Sequence, residues 1–376
     1  MTMMKIVIPL LMTICAFPPA GRAELRPLPR VPDVETLSIG FNGETLKCFV
    51  LLIDCRTDRE KTADSLRGQP AGPSLVFFQG HAQRPDDAYG FTSRLARMSR
   101  SGIVVIPVCD TPCGSDPGWH GDTGKDVVLM EMVRIALARK GLSVEEFKPI
   151  TDMPVFVNDP CPVTREGEAG TRLVSIGWSH GGILARRFAH AYPASVCSLG
   201  QVCPAGYEQW GPWELTGRFS LESLRIFARM GNAHAAEALG SAWGFTKGFT
   251  GDLVRSIPGA LIGLNPGKAG RVFRDIHDCC TYCDSVSYKA SHLDRIAVLF
   301  AAGDSCMDPV RQLGIRDLSR MTSDDLLRFH RTFFGDVTEP ERLSLKILPG
   351  THMAPVSHAG LYAETLLAEL GELAEY

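Results

Sequence analysis

The feature that most limits how this chain can fold is a rhythm. Short runs that are apolar almost end to end, at residues 74–78, 102–108, 171–176, 196–202, 296–300 and 343–348, alternate with amphipathic stretches of helical period. The helical stretches fall at 86–99, 124–140, 182–191, 323–334 and 361–373. A strand with apolar side chains on both faces must be covered on both, and a strand–helix–strand alternation makes neighbouring strands parallel. Right-handed crossovers then bring the strand C-termini to one edge of the sheet. The expected fold class is therefore α/β: a mostly parallel central sheet with helices on both faces. With 376 residues, 45% of them hydrophobic, the chain can bury such a core without covalent staples.

The rhythm is interrupted in three places. Residues 54–72 read as a polar connection containing Gly and Pro. Residues 142–168, broken by Pro149, Pro154, Pro160 and Pro162, read as a surface insertion. Residues 206–292 carry no clear strand; they hold Trp210, Trp213, Phe227, Trp243, Phe245 and Phe249 and read as an inserted helical cap above the sheet edge. The N-terminus reads as a leader. Lys5 precedes an apolar run at residues 6–17, and Ala20-Gly21-Arg22-Ala23 offers small residues where a signal peptidase cleaves. The expected organisation is a signal peptide at 1–23, a core at 24–205 and 293–376, and a cap at 206–292. The mature protein is expected to be secreted or periplasmic, with no stable membrane span. A net charge of −3 without long basic runs argues against a nucleic-acid partner.

Twelve cysteines suit an oxidising compartment. Beyond Cys15, in the leader, several lie near one another: Cys48 with Cys55, Cys109 with Cys113, and Cys197 with Cys203. Disulfides are expected, with connectivity open. The stretch His277-Asp278-Cys279-Cys280-Thr281-Tyr282-Cys283 has half the spacing of a zinc site but no second half, so neither metal nor cofactor is expected.

The most informative motif is Gly177-Trp178-Ser179-His180-Gly181, where a strand meets a helix. A serine on that tight turn is lifted clear of the backbone, and the glycines avoid clashes with neighbouring chain. The following helix start gathers N–H donors where negative charge would develop. A serine nucleophile needs a base, and the base needs an orienting carboxylate. His352 follows the last strand and opens at the same sheet edge; His358 is its competitor. Two aspartates follow the strand at 296–300. Asp308 has the reach of a short loop and is the expected acid, whereas Asp304 reads as a turn cap. His120 sits in a loop at the same edge and reads as a plain turn residue.

With this elbow, the Ser–Asp–His order and the strand rhythm, the chain resembles the α/β-hydrolases over residues 74–202 and 296–376. The resemblance implies an eight-stranded sheet with a cap before the strand carrying the acid, and a serine esterase or lipase-like activity. It also implies two backbone oxyanion donors. One is His180, after the serine; the other is His81, with Ala82 its neighbour, in the loop Phe78-Gln79-Gly80-His81 where Gln replaces the family's usual His. The family often has Gly-x-x-Asp after the acid strand; here that offset is held by Cys306. The expected function is hydrolysis of a small-molecule or lipid-like carboxylic ester through an acyl-enzyme. The alternatives are peptidase or acyltransferase use of the same residues, or a non-catalytic binding protein on this fold. Oligomeric state is not legible.

Overall fold

The computed structural model describes residues 34–41, 43–67, 69–80, 88–108, 122–144, 171–211, 213–215, 217–218, 280 and 288–374. The leader, the insertion beyond residue 144, most of the cap, His81, Ala82, His120, Cys109, Cys113, Cys161, Cys279 and Cys283 lie outside them.

Eight strands form one sheet: β1 (Glu35–Phe41), β2 (Glu44–Asp54), β3 (Ser74–Phe78), β4 (Ile103–Pro107), β5 (Leu173–Trp178), β6 (Val196–Val202), β7 (Arg295–Ala301) and β8 (Leu343–Leu348), in the order β1-β2-β4-β3-β5-β6-β7-β8. β2 pairs antiparallel with both β1 and β4; every other pairing is parallel. The helices are α1 (Asp58–Arg67), α2 (Tyr89–Met98), α3 (Asp122–Ala138), α4 (His180–Ala191), α5 (Pro309–Gln312), α6 (Ser323–Phe333), α7 (Ala354–Ser357) and α8 (Ala359–Leu370). None of the helices is long and apolar enough to cross a membrane among the described residues.

The apolar strands divide their side chains between two cores. In β4, Ile103 and Val105 join α3 and α4 on one face, while Val104 and Ile106 join α2 and α8 on the other. β3 does the same with Val76 and Phe78 against Leu75 and Phe77. This two-sided burial is why the strands lack polar alternation, as the sequence predicts.

Two elements go beyond the sequence expectations. β1 pairs along its whole length with β2 and buries Leu37 and Ile39. α1 falls inside the stretch expected to be a connection. Asp64 is its one buried residue, so it has no apolar face to read, and its start is a capping arrangement instead. Thr57 Oγ1 accepts from Glu60 N (3.3 Å), and Thr57 N donates to Glu60 Oε2 (2.7 Å).

The expected disulfides find no support among the described residues. Cys48, Cys55, Cys197, Cys203, Cys280 and Cys306 are all buried, and none of them is in a disulfide among the described residues. Cys48 points into one core and Cys55 into the other. Cys197 and Cys203 bracket β6, so roughly 20 Å of extended chain separates them, against the 7 Å limit for a bridge.

Candidate active site

The turn between β5 and α4 is built by exclusion. A Cβ on Gly177 would stand 2.1 Å from the Gly181 carbonyl oxygen, and one on Gly181 would stand 2.1 Å from the carbonyl oxygen of Phe78, at the end of β3. Only glycines let α4 start this close to the sheet edge. Ser179 between them takes φ 57° and ψ −124°, a conformation rare for a residue with a side chain. The surroundings enforce it: Ser179 N donates to Val202 O (3.2 Å), while Ser179 O accepts from Gly182 N (2.8 Å) and Ala205 N (2.9 Å). Backbone strain held this way by a packed frame is typical of reactive sites.

Across from Ser179, the loops after β7 and β8 are locked together. Ala302 N donates to Leu348 O, and Gly303 N donates to Gly350 O, each at 2.8 Å. A Cβ on Gly303 would come within 2.9 Å of that same Gly350 oxygen. Trp178, fully buried, donates its indole N–H to the His352 carbonyl (3.0 Å), tying the β8 loop to the elbow.

These restraints bring three side chains into line. His352 Nδ1 donates to Asp304 Oδ2 at 2.8 Å, and His352 Nε2 lies 2.9 Å from Ser179 Oγ, placed to accept its proton. All three are buried, at 2–4% exposure, so their mutual bonds are little screened by water. Asp304 Oδ1 accepts from Cys306 N (2.9 Å) and Met307 N (2.8 Å), which fixes the carboxylate plane.

Here the expected acid is corrected. Asp304, not Asp308, meets His352. Asp308 is half-exposed and caps α5, its Oδ1 accepting from Val310 N (3.0 Å), with Arg218 3.8 Å from its other oxygen. The two exchange their expected roles because the chain turns back directly after β7: Asp304 N donates to Ala301 O, so the short route already reaches the imidazole. Pro309 then starts α5 and commits Asp308 to capping. His358 is exposed and bonded to Ser357 Oγ (2.8 Å), away from the serine. His180 occupies the first position of α4, beside the serine and at the positive end of the helix. His81, the other expected oxyanion donor, lies outside the described residues.

The sequence reading did not anticipate Trp178 as the link to the His352 loop, nor the N–H pair of Cys306 and Met307. The tryptophan was visible inside the elbow motif; its long-range partner was not. A hydroxyl bonded to an imidazole that is itself oriented by a buried carboxylate can act as a nucleophile at neutral pH.

No protein-family model matches the sequence, and no curated protein matches it significantly. Solved structures do match it. They include a membrane phospholipase A described as a novel bacterial virulence factor, at 13% identity over 90% of this chain and 86% of that one, TM-score 0.50. A thermophilic esterase from Thermogutta terrifontis, solved with malate bound, matches at 11% identity over 90% and 98%, TM-score 0.48. A hydrolase from Pseudomonas aeruginosa PA01 matches at 13% identity over 91% and 100%, TM-score 0.46. The strand order, the antiparallel β2 and the strand–Ser179–helix turn are those of the α/β-hydrolase fold, and the match to the first of these structures shows that the two chains share their fold.

Proposed function

We propose that this protein is an exported serine hydrolase that cleaves a carboxylic ester through an acyl-enzyme. The observation that carries the reading is the continuous hydrogen-bonded line from Ser179 through His352 to Asp304. His352 takes the Ser179 proton through Nε2 as Oγ attacks the ester carbonyl. Asp304 holds the imidazole with its proton on Nδ1 and stabilises the imidazolium that forms. The N–H groups at the start of α4, that of His180 first, and that of His81 receive the developing oxyanion. His352 returns the proton to the leaving alcohol; water then enters along the same path, releasing the acid and restoring Ser179.

The substrate class draws support from the apolar surroundings of the catalytic residues. Ile183, Ala205, Trp210 and Met307 form a small apolar cluster, and two of its members touch the machinery through their backbone: Ala205 N on Ser179, Met307 N on Asp304. An ester with an apolar acyl or alkyl group is the reading that such surroundings favour. Export rests on the leader-like residues 1–23. The test is a series of p-nitrophenyl esters of rising chain length, with Ser179→Ala as the control. Turnover by the unaltered chain and its loss by several orders of magnitude in the variant supports the reading; equal rates refute it.

A further inference from the structure

One donor beside the Ser179–His352–Asp304 line, the Cys306 thiol, has no use in ester hydrolysis. The Cys306 thiol, a carboxylate oxygen of Asp304 and a ring nitrogen of His352 all lie within 4.8 Å of one another, and all three residues are buried. Cys306 Sγ also approaches the Arg218 carbonyl oxygen, at 3.8 Å. A second thiol, that of fully buried Cys203, is close enough to Asp304 to feel its charge. One sulfur, one nitrogen and one carboxylate oxygen thus converge on one point, with a second sulfur adjacent.

We propose that this cluster is an inhibitory site for a thiophilic divalent cation, with Zn2+ the ion whose ligand preferences it matches. Zinc takes sulfur, nitrogen and carboxylate oxygen together, at about 2.0–2.3 Å each, which puts tetrahedral ligand atoms about 3.3–3.8 Å apart. The His352–Asp304 pair, 2.8 Å apart, widens by about half an ångström to reach that spacing, and the thiol, within 4.8 Å of both, closes by about an ångström. Magnesium and calcium, which take oxygen ligands throughout, do not suit a set containing thiols. Of the Cys279–Cys283 stretch that the sequence singles out for its spacing, only Cys280 is among the described residues, and it packs in the same small cluster as Cys306.

The consequence follows from the protons. In the resting site the neutral imidazole carries its hydrogen on Nδ1, donated to Asp304, and Nε2 is open to the serine proton. A cation bound at Nδ1 moves that hydrogen to Nε2. The ring then donates toward Ser179 Oγ and can no longer accept from it. Cys306 binds as thiolate, so one proton leaves to solvent per ion bound. No electrons move. The same ion also draws Asp304 away from its orienting role, so base and orienter are lost together.

The effect on rate rests on the proposed hydrolase reading, while binding does not, and the experiment separates them. The full chain, stripped with EDTA and kept reduced, is titrated with Co2+ and watched for a thiolate-to-cobalt charge-transfer band in the near ultraviolet. In parallel it is titrated with Zn2+ during ester hydrolysis. Cys306→Ala and Cys306→Ser are measured beside it, each rate taken relative to its own metal-free rate, and each checked for a cooperative melt. The expected result is a cobalt band in the unaltered chain that is lost in both variants. Zinc should inhibit reversibly, and the variants should need at least about tenfold more of it for the same inhibition. A missing band, a band that survives in both variants, or equal zinc sensitivity of all three proteins overturns the proposal. A band lost in the variants without inhibition in the unaltered chain overturns the inhibitory role. Absence of ester turnover before any metal is added refutes the hydrolase reading and leaves the cobalt result to judge the site alone.

Discussion

The loop after β5 and the loop after β7 both deliver one side chain to the same point, by opposite means. The β5 loop uses steric exclusion. Gly177 and Gly181 are dictated by backbone atoms 2.1 Å from where a Cβ would sit, and Ser179 is forced to a positive φ between them. The β7 loop uses hydrogen bonds. Asp304 is fixed by two N–H groups on one oxygen and an imidazole on the other, and Gly303 provides the close approach to the β8 loop. Exclusion leaves a fixed residue pattern in the sequence. Backbone donors leave none, since any residue at 306 or 307 except proline supplies the same N–H.

The largest effect that separates the two aspartates is on rate. Asp304→Asn should lower kcat by about four orders of magnitude, because an amide cannot hold the imidazole in the required tautomer. Asp308→Asn should leave kcat near that of the unaltered chain. Steady-state kinetics on one p-nitrophenyl ester checks both, and the reverse ranking would return the acid to Asp308.

Next in size is the steric claim. Gly181→Ala should destabilise the fold by about 3 kcal/mol or more in chemical denaturation, since the added carbon meets backbone rather than a movable side chain. A loss below about 1 kcal/mol would mean that α4 can back away from β3.

Trp178→Phe keeps most of the ring and removes the N–H that holds the His352 carbonyl. It should cost about 1 kcal/mol of stability and lower kcat more than it raises KM. An unchanged kcat would detach the tryptophan from the β8 loop.

The smallest effect lies far from both loops. Glu372 packs near Gly72, just before β3 begins, at the sheet edge opposite the serine. Burial raises its pKa from 4.5 to about 7, with Arg100 and Arg172 opposing the rise. The folded state therefore holds this proton more tightly than the unfolded chain does. The associated stability is complete below the unfolded value of 4.5 and is lost as pH rises through about 7. Glu372→Gln should raise Tm at pH 8, leave it nearly unchanged at pH 4, and leave ester turnover untouched. Equal shifts at both pH values would contradict the burial argument.

What the sequence made legible follows the same division. Strand positions, helix positions and the elbow could be read because each rests on apolar periodicity or on steric need. Helix α1 could not, since it buries almost nothing and depends on the Thr57–Glu60 cap. The sequence ranks Asp304 and Asp308 in the wrong order, because both satisfy the same local rule: an aspartate just past a strand accepts backbone N–H bonds. Each does so here, Asp304 from residues 306 and 307 and Asp308 from residue 310. What distinguishes them is a partner 48 residues further along the chain. The cysteines misled for the converse reason: their number suggests disulfides, but Cys48 and Cys55 face opposite cores and Cys197 and Cys203 are held apart by extended chain.

The central claim is that Ser179 is activated by His352 and Asp304. Its most direct test is the rate and site of covalent labelling by a fluorophosphonate, followed by peptide mass spectrometry. The account predicts one adduct per chain, on Ser179, formed at the same rate in Asp308→Asn and slowed by about a thousandfold or more in Asp304→Asn. An adduct on another residue, or labelling of Ser179 that is indifferent to Asp304, would contradict it.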